Sequence, residues 1–136
     1  MKESRGICIE LNPCDKAQIS SISTIQGMIG KQDILAYDLY LDSKVIGFVM
    51  LRKYSKTGYF LWDFAMDKSY QNKGYGTEAL RKLIEYMKSR FNAKEITTTY
   101  LWGNEHAKHI YEKIGFIETD VVHEDDIHEV NMVKYL

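Results

Sequence analysis

Apolar residues recur along the chain with two periods, and the changes of period divide it into elements. Ile7, Ile9 and Leu11 alternate with Cys8 and Glu10 before an Asn-Pro turn, which predicts a half-buried strand. Asp15 then stands as the N-cap of a short helix carrying Ile19, Ile22 and Ile25. Leu35, Tyr37, Leu39 and Leu41 share one face of a strand, and a DSK turn leads into the apolar run VIGFVML, so a hairpin is expected. YFLWDFAM is short and aromatic-rich, as suits a buried strand, and DKSYQNKG after it is a polar loop. Leu80, Leu83, Ile84, Met87 and Phe91 fall at helical spacing, with Lys88 and Arg90 in the last turn where cations oppose the helix dipole. EITTTYL is strand-like, Asn104 caps a helix burying Ala107, Ile110, Tyr111 and Ile114, and Gly115 closes it. FIETDVV and HEVNMVKYL predict a final pair of strands.

Composition narrows the function classes. The 136 residues contain one proline and no repeat or low-complexity stretch, so residues 1–136 are expected to form a single domain. A formal net charge of -1 gives no general attraction to nucleic acid or to an acidic membrane surface. The start, MKESRGICIE, lacks the apolar core of a signal peptide, and no apolar run reaches membrane-spanning length; a cytoplasmic protein is expected. Cys8 and Cys14 read as small reduced side chains rather than a disulfide framework. His106 and His109 stand three apart, and His123 and His128 flank an acidic stretch, but no convergent third and fourth ligands accompany them, so no metal is expected.

The stretch YQNKGYGTEAL supplies the first chemistry. A strand, a polar turn and a helix whose first amides point outward form an anion site, and Gly74 and Gly76 let the backbone approach the anion closely. The Walker pattern is absent. GYGTEA fits the dinucleotide fingerprint in its G-x-G-x-x-A form, with Glu95 near the position of a ribose-binding acid. In that motif, however, the glycines follow the strand directly and the acid ends the next strand, whereas here a loop intervenes and Glu95 precedes its strand.

Together, FAMDKSYQNKGYGTEAL and the later GNEHAKHIYEKIGF resemble the GNAT superfamily of N-acetyltransferases. Gln71, Gly74 and Gly76 match its Q/R-x-x-G-x-G/A signature, and Asn104, Ala107, Tyr111, Gly115 and Phe116 match a second motif downstream. Within the superfamily the chain looks most like bacterial diamine and spermidine acetyltransferases. The resemblance implies an α/β (α+β) fold with a mixed, mostly antiparallel sheet, flanking helices and a splayed parallel strand pair. It also implies acetyl-CoA as cosubstrate. The pyrophosphate would rest on the amides of Gln71, Asn72, Lys73, Gly74, Tyr75, Gly76 and Thr77, and the pantetheine would run along Phe64, Ala65 and Met66, with Asn104 and Ala107 beside it. Tyr111 would lie near the sulfur as general acid.

The general base is open at this level. Polyamine acetyltransferases of this kind carry an acid nine residues before the Gln/Arg, where this chain has Trp62; Asp63 is the nearest carboxylate. A strand bulge would turn Asp63 into the cleft, and a regular strand would leave it a surface acid. The acidic run Glu118, Asp120, Glu124, Asp125, Asp126 and Glu129 reads as a solvated hairpin or as an attractor of a cationic amine. The segment before the first hairpin is short for the superfamily, which implies either an open cleft for a large acceptor or a wall supplied by a second subunit, that is, a homodimer. The expectation is an N-acetyltransferase acting on a primary amine, a polyamine such as spermidine first and a peptide or protein amine second; an idle acyl-CoA-binding sensor is the alternative.

Overall fold

In the computed structural model, residues 1–6, 8–9, 11, 20–124 and 127–136 are described, with backbone alone for Ile22, His123, Glu124 and Ile127. The strands are β1 (Lys2–Glu3), β2 (Ile34–Leu41), β3 (Lys44–Lys53), β4 (Gly58–Met66), β5 (Glu95–Leu101), β6 (Ile117–Glu124) and β7 (Ile127–Tyr135); the first precedes the run Ile7–Leu11 predicted as a strand, whose described residues Cys8, Ile9 and Leu11 are not in one. The helices are α1 (Ile22–Met28), α2 (Tyr75–Phe91) and α3 (Glu105–Ile114), with a 3-10 turn at Lys68–Tyr70. Among the described residues the strands make one sheet in the order β1-β2-β3-β4-β5-β7-β6, and every neighbouring pair is antiparallel except β4 with β5.

Both faces of the sheet are buried, by different partners. Tyr37, Leu39, Val49, Leu51, Leu61, Ile96, Tyr100, Val130 and Met132 point to one face, where Leu80, Leu83, Ile84 and Met87 of α2 and Tyr111 of α3 complete the larger core. Ala36, Phe48, Met50 and Ala65 point to the other, where Ile25 of α1 and Ile9 close a smaller cluster. The predicted β2–β3 hairpin forms, with Asp42 at φ 56° in its turn. The start of the predicted helix at Asp15 falls outside the described residues. α1 begins at Ile22, and Ser21 caps it by accepting from Thr24 N at 3.2 Å. Asp15, Ile19, Ile7 and Glu10 lie outside the described residues.

Two irregularities in β4 position the site. The strand pairs with β3 from Tyr59↔Lys53 to Leu61↔Leu51, then resumes at Asp63↔Met50, so Trp62 is an extra residue. This is a bulge, and it puts both Trp62 and Asp63 on the α1 face between Leu61 and Phe64, which face the larger core. On its other edge β4 pairs with β5 only from Gly58↔Glu95 to Leu61↔Thr98, although both strands run on. The Thr98 hydroxyl donates to Leu61 O at 3.1 Å at this last rung. Beyond it the parallel strands part, leaving backbone groups of both edges without sheet partners.

Candidate active site

The parting strands open a cleft of about 640 Å³ that passes from one face of the sheet to the other. On the α2/α3 face it is lined by Phe64, Met66, Gln71, Asn72, Gly74, Gly76, Thr77, Asn104, His106, Ala107, Ile110 and Tyr111, and on the α1 face by Phe60, Trp62, Asp63, Thr99, Leu101, Glu129 and the chain at Ser20. The assignment of β5 and β7 residues to faces follows from register. Thr98↔Met132 and Tyr100↔Val130 face the larger core, so Thr99↔Asn131 and Leu101↔Glu129 face away from it.

At one end of the cleft lies the glycine turn. Asn72 and Gly74 adopt left-handed backbone at φ 60° and 83°, and Gly74 is the N-cap of α2 without a side-chain cap. A side chain at Gly74 would meet nothing within 4 Å, so its requirement for glycine is conformational. The helix starts at Tyr75, earlier than the apolar spacing alone suggested, and Gly76 therefore sits within its first turn. The amides of Tyr75, Gly76 and Thr77 have no intrahelical acceptor and carry the positive end of the helix dipole. Gln71 holds the turn against β4 by donating from Nε2 to Met66 O at 3.0 Å.

Asn104 caps α3, its Oδ1 accepting from Ala107 N at 3.2 Å. Of the residues assigned to the site from sequence, Asp63, Phe64, Ala65, Met66, Gln71, Asn72, Gly74, Gly76, Thr77, Asn104, Ala107 and Tyr111 line one cleft. Lys73 and Tyr75 do not. The Lys73 ammonium lies 5.9 Å from the Tyr70 ring, against which the Tyr75 ring also packs at 5.9 Å.

Two titratable groups line the cleft from opposite faces of the sheet, close enough for the charge of one to act on the other. Asp63 is 3% exposed; its Oδ1 accepts from Ser20 N at 2.9 Å, and Oδ2 has no hydrogen-bond partner among the described residues. Burial raises its pKa, an effect that the Ser20 hydrogen bond opposes. Tyr111 is buried, its ring edge-on to Phe116 at 5.5 Å. Burial likewise raises its phenol, the neighbouring Thr98 hydroxyl lowers it, and the Asp63 charge adds to the raise. Tyr100 also lines the cleft, but its hydroxyl is committed to Glu118 Oε1 at 2.9 Å, and burial with that bond pushes it to about 12. The Tyr111 hydroxyl instead neighbours the Thr98 hydroxyl at the last rung of the parallel pair.

Sequence reasoning missed Ser20, Thr98, Thr99 and the placement of Glu129. The alternation of EITTTYL could have assigned Thr99 to its face; nothing in a serine-rich segment marks Ser20 as a donor to Asp63. In the acidic run, Glu118 answers Tyr100 and lies 3.9 Å from Lys108, and Asp120 accepts from Asn131 and Thr119. Asp125 and Asp126 lie outside the described residues. No group of side chains suited to a metal ion occurs among the described residues, and no described helix is long and apolar enough to cross a membrane.

This geometry, a splayed parallel pair beside a glycine-capped helix, coincides with the sequence motifs. Residues 12–116 match the family model described as Acetyltransferase (GNAT) family. The chain belongs to that family. It is similar to a probable spermine N(1)-acetyltransferase of Bacillus subtilis subsp. natto (strain BEST195), 32% identical over 85 residues, covering 57% of this chain and 56% of the relative. The chain thus spans little more than half the length of that relative. Among solved structures it shares its fold with a spermidine N-acetyltransferase SpeG variant from Vibrio cholerae, with a TM-score of 0.73 at 17% identity over 85% of this chain and 75% of that one. A GNAT family acetyltransferase from Elizabethkingia anophelis with acetyl-CoA bound gives a TM-score of 0.73 at 17% identity, covering 96% and 94% of the two chains.

Proposed function

We propose that this GNAT chain transfers the acetyl group of acetyl-CoA to a primary amine, with a polyamine as acceptor. The observation that carries the reading is the pairing, in one cleft, of a buried carboxylate with an unpartnered oxygen, Asp63, and a protonated phenol, Tyr111. The residues present also fit acetyl-CoA. The unpaired edges of β4 and β5 suit an extended pantetheine arm, and the first-turn amides of α2 suit its pyrophosphate. Lys73 and Tyr75 contribute backbone alone to that seat.

The cosubstrate supplies a thioester, an acyl group already activated toward amines. An alkylamine has a pKa of about 10.4, so roughly one part in 2,500 is neutral at pH 7 and something must take its proton. Asp63 does this, directly or through one water, and its raised pKa brings it nearer to the working pH of a base. A backbone amide of Phe64, Ala65 or Met66 on the parted edge stabilises the developing oxyanion. Tyr111, which burial keeps protonated at neutral pH, then gives its proton to the departing sulfur.

Trp62 in the place of the acid usual in such enzymes favours a second reading, a sensor that binds acyl-CoA without turnover. Thiol release from acetyl-CoA on addition of spermidine, putrescine, an aminoglycoside or a lysine peptide separates the two. A sensor binds CoA yet releases no thiol with any of them. Release with the peptide alone would move the acceptor from polyamines to protein amines.

A further inference from the structure

The α1 face of the cleft carries a second carboxylate that the transfer chemistry does not use. Glu129, on β7, faces that side beside Leu101, while Asp63 faces it from β4, with β5 between them. Two strand spacings set their backbones ~10 Å apart, and the parting of β4 from β5 widens this. The Phe60 and Trp62 rings, 6.5 Å apart, form an apolar wall on β4. The Arg52 guanidinium lies 5.8 Å from the Trp62 centroid, so the ring's cation-binding face is already served and its remaining surface suits a hydrocarbon chain.

Resting on the reading of this cleft as an amine acetyltransferase site, we propose that Glu129 binds the remote ammonium of a diamine or polyamine. Asp63 deprotonates the reacting end, and the carbon chain passes Trp62 and crosses β5 beside Thr99 and Leu101. Glu129 is then a specificity-determining residue. A monoamine engages Asp63 alone, whereas a diamine or polyamine engages both carboxylates. A partly desolvated ammonium–carboxylate contact between well-oriented groups is worth about one to two orders of magnitude in affinity.

The test is acetyl-CoA-dependent thiol release by the intact chain with butylamine, diaminopropane, diaminooctane and spermidine, for wild type, Glu129→Gln and Glu129→Lys. The expected result is a kcat/KM for diaminooctane and spermidine at least tenfold above that for butylamine, carried by KM. In Glu129→Gln that ratio falls toward one, and in Glu129→Lys it drops below one. Wild type turning over all four amines equally, or Glu129→Gln keeping the preference, overturns the assignment of Glu129 while leaving the acetyltransferase reading intact. No thiol release with any amine overturns both.

Discussion

Asp63→Asn separates catalysis from stability, because the two should move in opposite directions. Asparagine keeps the shape and the Oδ1 acceptor for Ser20 N, and removes the charge that burial disfavours. A carboxyl whose native pKa is raised holds more protons in the folded than in the unfolded chain between the unfolded value, about 3.9, and the native one. Wild-type stability therefore falls as pH rises through that window, and the penalty is fully present above the native pKa. Each unit of raise corresponds to about 1.4 kcal/mol, and for a chain of this size each kcal/mol moves Tm by roughly 3–5 °C. Asp63→Asn should thus match or exceed wild type in Tm at neutral pH, lose that advantage in acid, and lose about 10²–10⁴ in kcat/KM along with its acidic limb. Thermal unfolding from about pH 4 to 8 and thiol-release kinetics over the range of activity measure both. A variant less stable than wild type at neutral pH refutes the burial penalty. One with kcat/KM unaltered across pH refutes the role as base.

Tyr111→Phe keeps the ring against Phe116 and removes the proton, so kcat should fall by about 10²–10⁴ with little change in Tm; an unchanged kcat at every pH would remove Tyr111 as acid. Gly74→Ala, forced to φ 83°, should cost about 1–2 kcal/mol in urea unfolding and raise the KM for acetyl-CoA. Gly76→Ala, whose added carbon meets Met66 Cγ at an ordinary 3.5 Å, should instead stabilise α2 by about 0.5–1 kcal/mol. Thr98→Val leaves the buried Leu61 carbonyl without its 3.1 Å donor and should cost about 1–3 kcal/mol, read in the same urea titrations.

The elements that were legible in the sequence are those with one buried face or a chemically marked end. EITTTYL alternates cleanly and spans β5, and Asn104 and Gly115, the latter at φ 112°, bound α3 as their cap chemistry predicts. β4 was legible as a strand but not in its facing. Tyr59, Leu61, Trp62, Phe64 and Met66 are all large and apolar because both faces of that strand are covered, so no period shows where the extra residue lies. The choice between a cleft-facing and a surface Asp63 therefore needed the β3 register, which is a property of the partner strand. The helical spacing of Ile22 and Ile25 was legible in α1, whereas its N-cap, Ser21, was not. Several serines near Ile22 are possible caps, and in the structure Ser21 takes the role by accepting from Thr24 N.

The bulge and the short parallel pairing act together, and neither alone would build the site. Were β4 regular, Asp63 would turn to the α2/α3 face, and every residue beyond it would slip by one against β3. Phe64 and Met66 would then leave the larger core. With the bulge, Leu61 and Phe64 both remain in that core while Asp63 looks through to the opposite side. The parting of β4 and β5 after Leu61↔Thr98 supplies the passage between the faces. An acyl donor seated on α2 can thus meet an amine arriving on the α1 face at the gap itself, with Tyr111 on one side and Asp63 on the other. In the proposed arrangement the sheet plane keeps the two substrates' binding residues apart, so a change at Glu129 should alter acceptor preference while leaving the KM for acetyl-CoA unchanged.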